Sequence, residues 1–193
     1  MPKRHPALSY LSILFGTLLP VLASATDWVV DPNSSRVGFA YQAMGSEIQG
    51  EFNRYSANIR FDPAKPETAL VNMRVETGSI DAGLPDATTE AISANFLDTR
   101  RYPQALFTST TIKALGQNRY LIQGELTLKN QRRPISLTAL LKPEGKNQRM
   151  TGSIALKRLD YGIGAGMWSD VETLKNEVRV AFSLLLLPAG GKK

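Results

Sequence analysis

Apolar side chains recur at every second residue through most of this chain, and period two is the repeat of a β-strand with one dry face. The first such run is 28–41, WVVDPNSSRVGFAY. It reads as a short extended segment, a Pro/Asn/Ser turn, then a strand with Val37, Phe39 and Tyr41 on one face. Ala43-Met44-Gly45-Ser46 is a turn signal. A run over 48–61 follows, with Tyr55, Ala57, Ile59 and Phe61 in phase until Asp62-Pro63 breaks it. Val71, Met73 and Val75 then oppose Asn72, Arg74 and Glu76, the pattern of an antiparallel sheet with one wet face.

The alternation lapses once. Pro85-Asp86 opens a helical stretch rich in Ala, with Asp86 as the expected N-cap and Phe96-Leu97 as an apolar plug behind it. Strands resume after Pro103. Ala105, Phe107 and Ser109 share one phase, and Leu106 and Ile112 the other. Tyr120, Ile122, Leu126 and Leu128 lie on one face of the next strand, and Asn130 to Arg133 is a turn. Ile135, Leu137, Ala139 and Leu141 form another face before a turn region over 142–148. Met150, Ile154 and Leu156 share the next, and Val178, Val180, Phe182, Leu184 and Leu186 the last. About eight strands and a helical insertion around 86–97 suit an all-β, extended antiparallel barrel able to hold one ligand. Periodicity alone leaves a sandwich with a filled core open. An outer-membrane barrel is disfavoured, because the outward phases carry Arg74, Glu76, Arg119, Glu125, Glu177 and Arg179.

Lys3, Arg4 and His5, the apolar run 8–22 and Ala23-Ser24-Ala25 have the three regions of a secretory signal peptide. The run holds Ser9, Ser12, Thr17 and Pro20 and is short for a bilayer span, so a retained anchor is the weaker reading. Removal of 1–25 is expected, leaving one domain over 26–193 in the periplasm. The chain has no Cys, so disulfides cannot brace it, and its one His, His5, belongs to the leader. That leaves no Ser-His-Asp triad, no Cys nucleophile and no ordinary zinc site. Metal and cofactor are not expected, and neither is an enzyme. Asp86 with Glu90, or Asp170 with Glu172, are the carboxylate pairs a hydrolase would have to use. Gly162-Ile163-Gly164-Ala165-Gly166 lacks the spacing and the βαβ context of a nucleotide loop. The net charge of +6 drops to +4 without Lys3 and Arg4, and the cations are scattered. Nucleic acid is therefore not an expected partner. A weak attraction to anionic membrane surfaces and a homodimer stand as open expectations.

A set of short motifs spans the chain. Trp-x-x-Asp-Pro-x-x-Ser-x-Val-x-Phe at 28–39 is followed by Gly50-Glu51-Phe52, Ile59-Arg60-Phe61-Asp62-Pro63, Gly78-Ser79-Ile80 and Asn95-Phe96-Leu97-Asp98. Tyr102-Pro103-Gln104-Ala105-Leu106-Phe107-Thr108-Ser109, Gly124-Glu125-Leu126-Thr127-Leu128 and Arg158-Leu159-Asp160-Tyr161-Gly162-Ile163-Gly164 complete it. In order and spacing these resemble the YceI family. Asn130, where the family often has Gly, and Ala82, where Thr is common, depart from the pattern in turns.

The resemblance implies a lipocalin-like barrel that holds a polyisoprenoid or similar long-chain amphiphile, such as an isoprenoid quinone, for sequestration or transport. That lipid would be cargo rather than cofactor. The lumen candidates are Phe39, Tyr41, Phe52, Ile59, Phe61, Val71, Met73, Val75, Phe107, Tyr120, Ile122, Leu126, Leu128, Leu137, Ile154 and Phe182, with Trp168 as a lid or a core plug. Arg100 and Arg101, beside Asp98 and Tyr102, are candidates to meet a polar head group, since a guanidinium fork suits phosphate. Taken without the resemblance, the same apolar residues suit a structural or interaction domain with a filled interior.

Overall fold

The computed structural model describes residues 26–190, and the expected leader, 1–25, lies outside them. The strands are β1 (Thr26–Ala43), β2 (Ser46–Phe52), β3 (Tyr55–Phe61), β4 (Leu70–Glu76) and β5 (Ile80–Asp81), then, after helix α1 (Pro85–Ala91), β6 (Gln104–Gly116), β7 (Arg119–Leu128), β8 (Gln131–Glu144), β9 (Asn147–Lys157) and β10 (Leu174–Pro188). All pairings are antiparallel, and β10 pairs with β1, so the sheet closes on itself. Two strands are interrupted in place. Val37 pairs with Phe52 of β2 and Val29 with Asn58 of β3, so β2 and β3 lie in line along one edge of β1. Likewise β5 pairs with β2 and continues the line of β4, which pairs with β3. The result is a closed, eight-stranded antiparallel barrel. Closure leaves no long unpaired edge.

The Pro/Asn/Ser segment is not a turn between strands. It is a bulge inside the single long strand β1, where residues 32–35 stand opposite Leu184 alone. The extra residues are held locally. Asp31 accepts from the Asn33 amide and the Ser34 hydroxyl, and Ser35 Oγ accepts from the Leu185 amide at 2.8 Å in place of a ladder partner. Bulges sharpen twist and bend a strand, which barrel closure requires. A second bulge changes the phase expected for β6. The register shift between Ser109 and Thr111 turns Ile112 inward, on the same side as Phe107, while Leu106 stays outside. A one-residue slip exchanges the two faces of everything beyond it.

The hairpin turns are tighter than the composition implies. Met44-Gly45, Gln117-Asn118 and Lys129-Asn130 all have positive φ, as two-residue type I′ turns need. Arg132, Arg133 and Pro134 therefore belong to β8 rather than to a turn, and strand pairing runs through 142–148 except at Gly145-Lys146. The run 48–61 is broken at Asn53-Arg54, between β2 and β3. Helix α1 is shorter than 86–97, its N-cap is Leu84, and Asp86 lies inside the first turn rather than capping it.

The barrel interior is packed at one end. Val37, Ile59, Phe61, Val71, Ile112, Ile122, Leu141, Met150, Leu184 and Leu186 form a buried cluster there, with Trp28, Tyr55, Met73, Phe107, Tyr120, Leu137 and Phe182 against it. Each such side chain contributes about 1.5–3 kcal/mol by leaving water. Phe61 and Tyr120 meet edge to face at 5.1 Å. Three inward phenylalanine rings approach glycines of the neighbouring strand closely: Phe39 at Gly50, Phe107 at Gly124 and Phe182 at Gly152. A Cβ at Gly124 or Gly152 would fall 2.6 Å from the ring above it. The glycines thus let bulky rings press against the wall instead of filling the lumen.

Candidate functional site

The other end of the barrel is hollow. A cavity of about 750 Å³ is bounded by the C-terminal part of β1, by β2, by the ends of β7 and β9, and by the start of β10. Its wall carries Phe39, Tyr41, Phe52, Leu128, Leu156, Val178 and Val180. These side chains point inward because they occupy alternate positions of their strands, and only the volume beyond them is unfilled. Phe52 and Val180 also touch the packed cluster and form the floor. Phe39 bridges Phe52 at 5.4 Å and Tyr41 at 6.1 Å, so one face is a continuous aromatic panel. Tyr41 donates its hydroxyl to the Ala82 carbonyl at 2.9 Å. Burial raises the pKa of Tyr41 and of Tyr161, which keeps both neutral in this apolar space.

Two segments roof the cavity. One is α1 with its N-cap and the turns after it, which supply Leu84, Ala87, Ala91, Phe96 and Leu97; the other is the loop 158–173, which supplies Tyr161, Ile163 and Trp168. Phe96 and Trp168 pack edge to face at 5.7 Å. The Asn95 carbonyl accepts from the amides of Gly164 and Ala165 at 2.9 and 3.0 Å. Lys129 Nζ, at the β7–β8 turn, donates to Ala94 O at 3.0 Å and Gly162 O at 2.9 Å. Burial lowers its pKa.

Arg158 was not singled out as a site residue by the sequence, and it organises this roof. Its side chain is buried (3 % exposed) and lines the cavity. Nε donates to Lys175 O, Nη1 to Ile163 O and Gly164 O, and Nη2 to Leu174 O at 2.6 Å. Both ends of the loop are thereby tied to one guanidinium. Burial lowers its pKa, and the carbonyl dipoles compensate the charge. The legible signal is phase: one residue beyond β9, Arg158 continues the inward phase of Ile154 and Leu156, where a charge is costly unless bonded.

Among the sequence candidates, Phe39, Tyr41, Phe52, Leu128 and Trp168 come together around the cavity. Ile59, Phe61, Val71 and Ile122 are buried in the packed end, with Met73, Phe107, Tyr120, Leu137 and Phe182 against them. Val75, Leu126 and Ile154 are half-buried on the inward phase and belong to neither group. Arg100 and Arg101 are exposed and stand apart from the lining; Arg101 reaches Asp98 at 3.7 Å and lies 5.5 Å from the Tyr102 ring centroid. The acidic groups on the lining are Asp86 and Glu90, one turn apart on α1. Asp170 instead closes a turn, accepting from Glu172 N and Thr173 Oγ1, which holds its pKa down. Among the described residues no group of three His, Cys, Asp or Glu is placed to hold a metal.

Comparison with known proteins agrees with this geometry. A UPF0312 protein of Shewanella baltica is 34 % identical over 164 residues, 79 % of this chain and 86 % of that one. The crystal structure of Burkholderia cenocepacia BcnA superposes with a TM-score of 0.78 at 29 % identity, over 81 % of this chain and 98 % of BcnA. A polyisoprenoid binding domain from Saccharophagus degradans, implicated in plant cell wall breakdown, shares the fold with a TM-score of 0.66 at 15 % identity, over 86 % of this chain and 99 % of that one. Residues 28–186 match the YceI-like domain, and the chain belongs to that family.

Proposed function

We propose that this protein binds the tail of a polyisoprenoid or similar long-chain amphiphile in the hollow end of its barrel. The observation that carries the reading is the cavity itself: about 750 Å³ walled by aromatic and aliphatic side chains, continuous with the packed half of the barrel. That volume lies within the range of small-molecule sites, about 300–1,000 Å³. Each methylene buried contributes about 0.8 kcal/mol, and the roof then shields the tail from water. The Saccharophagus degradans neighbour is named for polyisoprenoid binding, which supports the same class of ligand here. The chemistry is sequestration or carriage rather than catalysis, since the two carboxylates of the lining, Asp86 and Glu90, lie on one helix rather than facing each other across a cleft. Export by the leader 1–25 would place that carriage in the periplasm.

The test is mass spectrometry of an organic extract from natively purified protein. A stoichiometric prenyl lipid is expected. Protein that is empty as purified and takes up no prenyl chain in solution would overturn the reading.

A further inference from the structure

The rim of the hollow end carries the three most exposed large apolar side chains among the described residues. Met44 is 76 % exposed, Leu84 52 % and Met167 82 %, with Val171 beside them in the sequence of the roof loop. They belong to one opening. The Met44 amide donates to Thr173 O at 2.8 Å, which holds the β1–β2 turn against the loop carrying Met167. Strand β5 pairs with β2 and brings Leu84 alongside. Met44 and Leu84 also line the cavity, as does Trp168, the neighbour of Met167. The apolar surface is therefore continuous from the outside of the rim to the interior.

The charge around this rim is opposite to that of the chain. Segments 42–49, 81–90 and 164–175 carry Glu47, Asp81, Asp86, Glu90, Asp170 and Glu172 against Lys175, a formal charge of −5 in a chain of +6. Lys175 is itself paired with Glu172 at 3.2 Å. Further back, Arg101 faces Asp98, Arg100 is exposed, and Lys129 and Arg158 are bonded to carbonyls. An apolar rim inside an acidic collar suits a surface that accepts methionine and leucine side chains and carries no net negative charge.

We propose that this rim docks on a bilayer of zwitterionic phospholipid, dipping Met44, Leu84 and Met167 into the boundary between head groups and acyl chains. The proposal rests on the lipid-binding reading, because the continuity of rim and cavity gives an amphiphile's tail a path that never crosses water. It reverses the expectation from overall charge, which favoured anionic surfaces.

Flotation with vesicles tests it, using the full folded protein with and without Met167→Asp. Met167 is not part of the cavity lining. Wild type is expected to float with phosphatidylcholine vesicles and less with phosphatidylglycerol-rich ones at low salt. Met167→Asp should lower flotation about tenfold and leave uptake of a soluble short-chain prenyl probe in vesicle-free buffer unchanged. Wild type that stays soluble with both vesicles, or a variant that floats as well as wild type, overturns the proposal. The two readings fail separately. Wild type that floats but takes up no probe keeps the rim assignment and sinks the cavity reading. Wild type that takes up probe but never floats keeps the cavity reading and sinks the rim proposal.

Discussion

Phe39 and Phe61 are both inward phenylalanines on strands that begin the barrel, and their surroundings differ. Phe61 is 8 % exposed within the packed cluster and against Tyr120, whereas Phe39 borders the cavity. Phe61→Trp should therefore overpack and destabilise by about 1–3 kcal/mol, while Phe39→Trp should hardly change stability and should reduce prenyl uptake. Denaturant midpoints and probe titrations check both, and equal destabilisation by the two would mean that the hollow end is filled. Tyr41 makes a second residue-scale case. Its folded pKa is raised from 10.0 by burial. A raised folded pKa contributes stability that is full below the unfolded value and is lost as pH climbs through the folded one. Stability of wild type should thus fall above about pH 10, and Tyr41→Phe should flatten that fall. The variant also loses the hydrogen bond to Ala82 O, about 1 kcal/mol, at neutral pH. Denaturation midpoints across the alkaline range, compared between the two proteins, give the answer; parallel curves would contradict it.

The roof is built from elements that are each too small to stand alone. Helix α1 spans Pro85–Ala91, and the facing loop has only short 3₁₀ turns, at Arg158–Tyr161 and Gly166–Ser169. Lys129 and the Asn95 carbonyl join them from outside, while Phe96 and Trp168 join them from within. Lys129→Met should loosen this junction, at a cost of about 1–2 kcal/mol. Amide exchange at Gly164 and Ala165 should quicken, because the Ala94 and Gly162 carbonyls on either side of this junction are no longer held. Unchanged protection there would show that Lys129 is incidental. Elements of this kind are the least legible in a sequence. Period-two phase exposed nearly every strand, since it reports which face is dry. It gave no warning that residues 32–35 bulge within β1, or that the shift beyond Ser109 turns Ile112 inward, because a bulge is a matter of pairing between distant segments. Asp86 looked like a cap because its chemistry suits one, and backbone geometry assigns the cap to Leu84 instead.

At the scale of the molecule, one long strand serves both ends of the barrel. In β10, Leu174, Val178 and Val180 face the cavity, and Phe182, Leu184 and Leu186 face the packed cluster. The alternation is unbroken across the change, which is why the sequence could list inward residues but could not divide them into wall and core. Phe39 and Phe61, or Leu128 and Ile122, look alike as letters in a pattern; what separates them is whether the opposite wall supplies a partner at that level. The Phe-on-Gly pairs had the same invisibility, since Phe107 and Gly124 sit on the two strands of one hairpin and only its register sets the ring over the glycine. The separation of a solid end from a hollow one has an evolutionary meaning. Mutations that reshape the hollow end change what fits inside while leaving the packed end to carry stability. A lineage can thus drift toward a different cargo without passing through sequences that fail to fold.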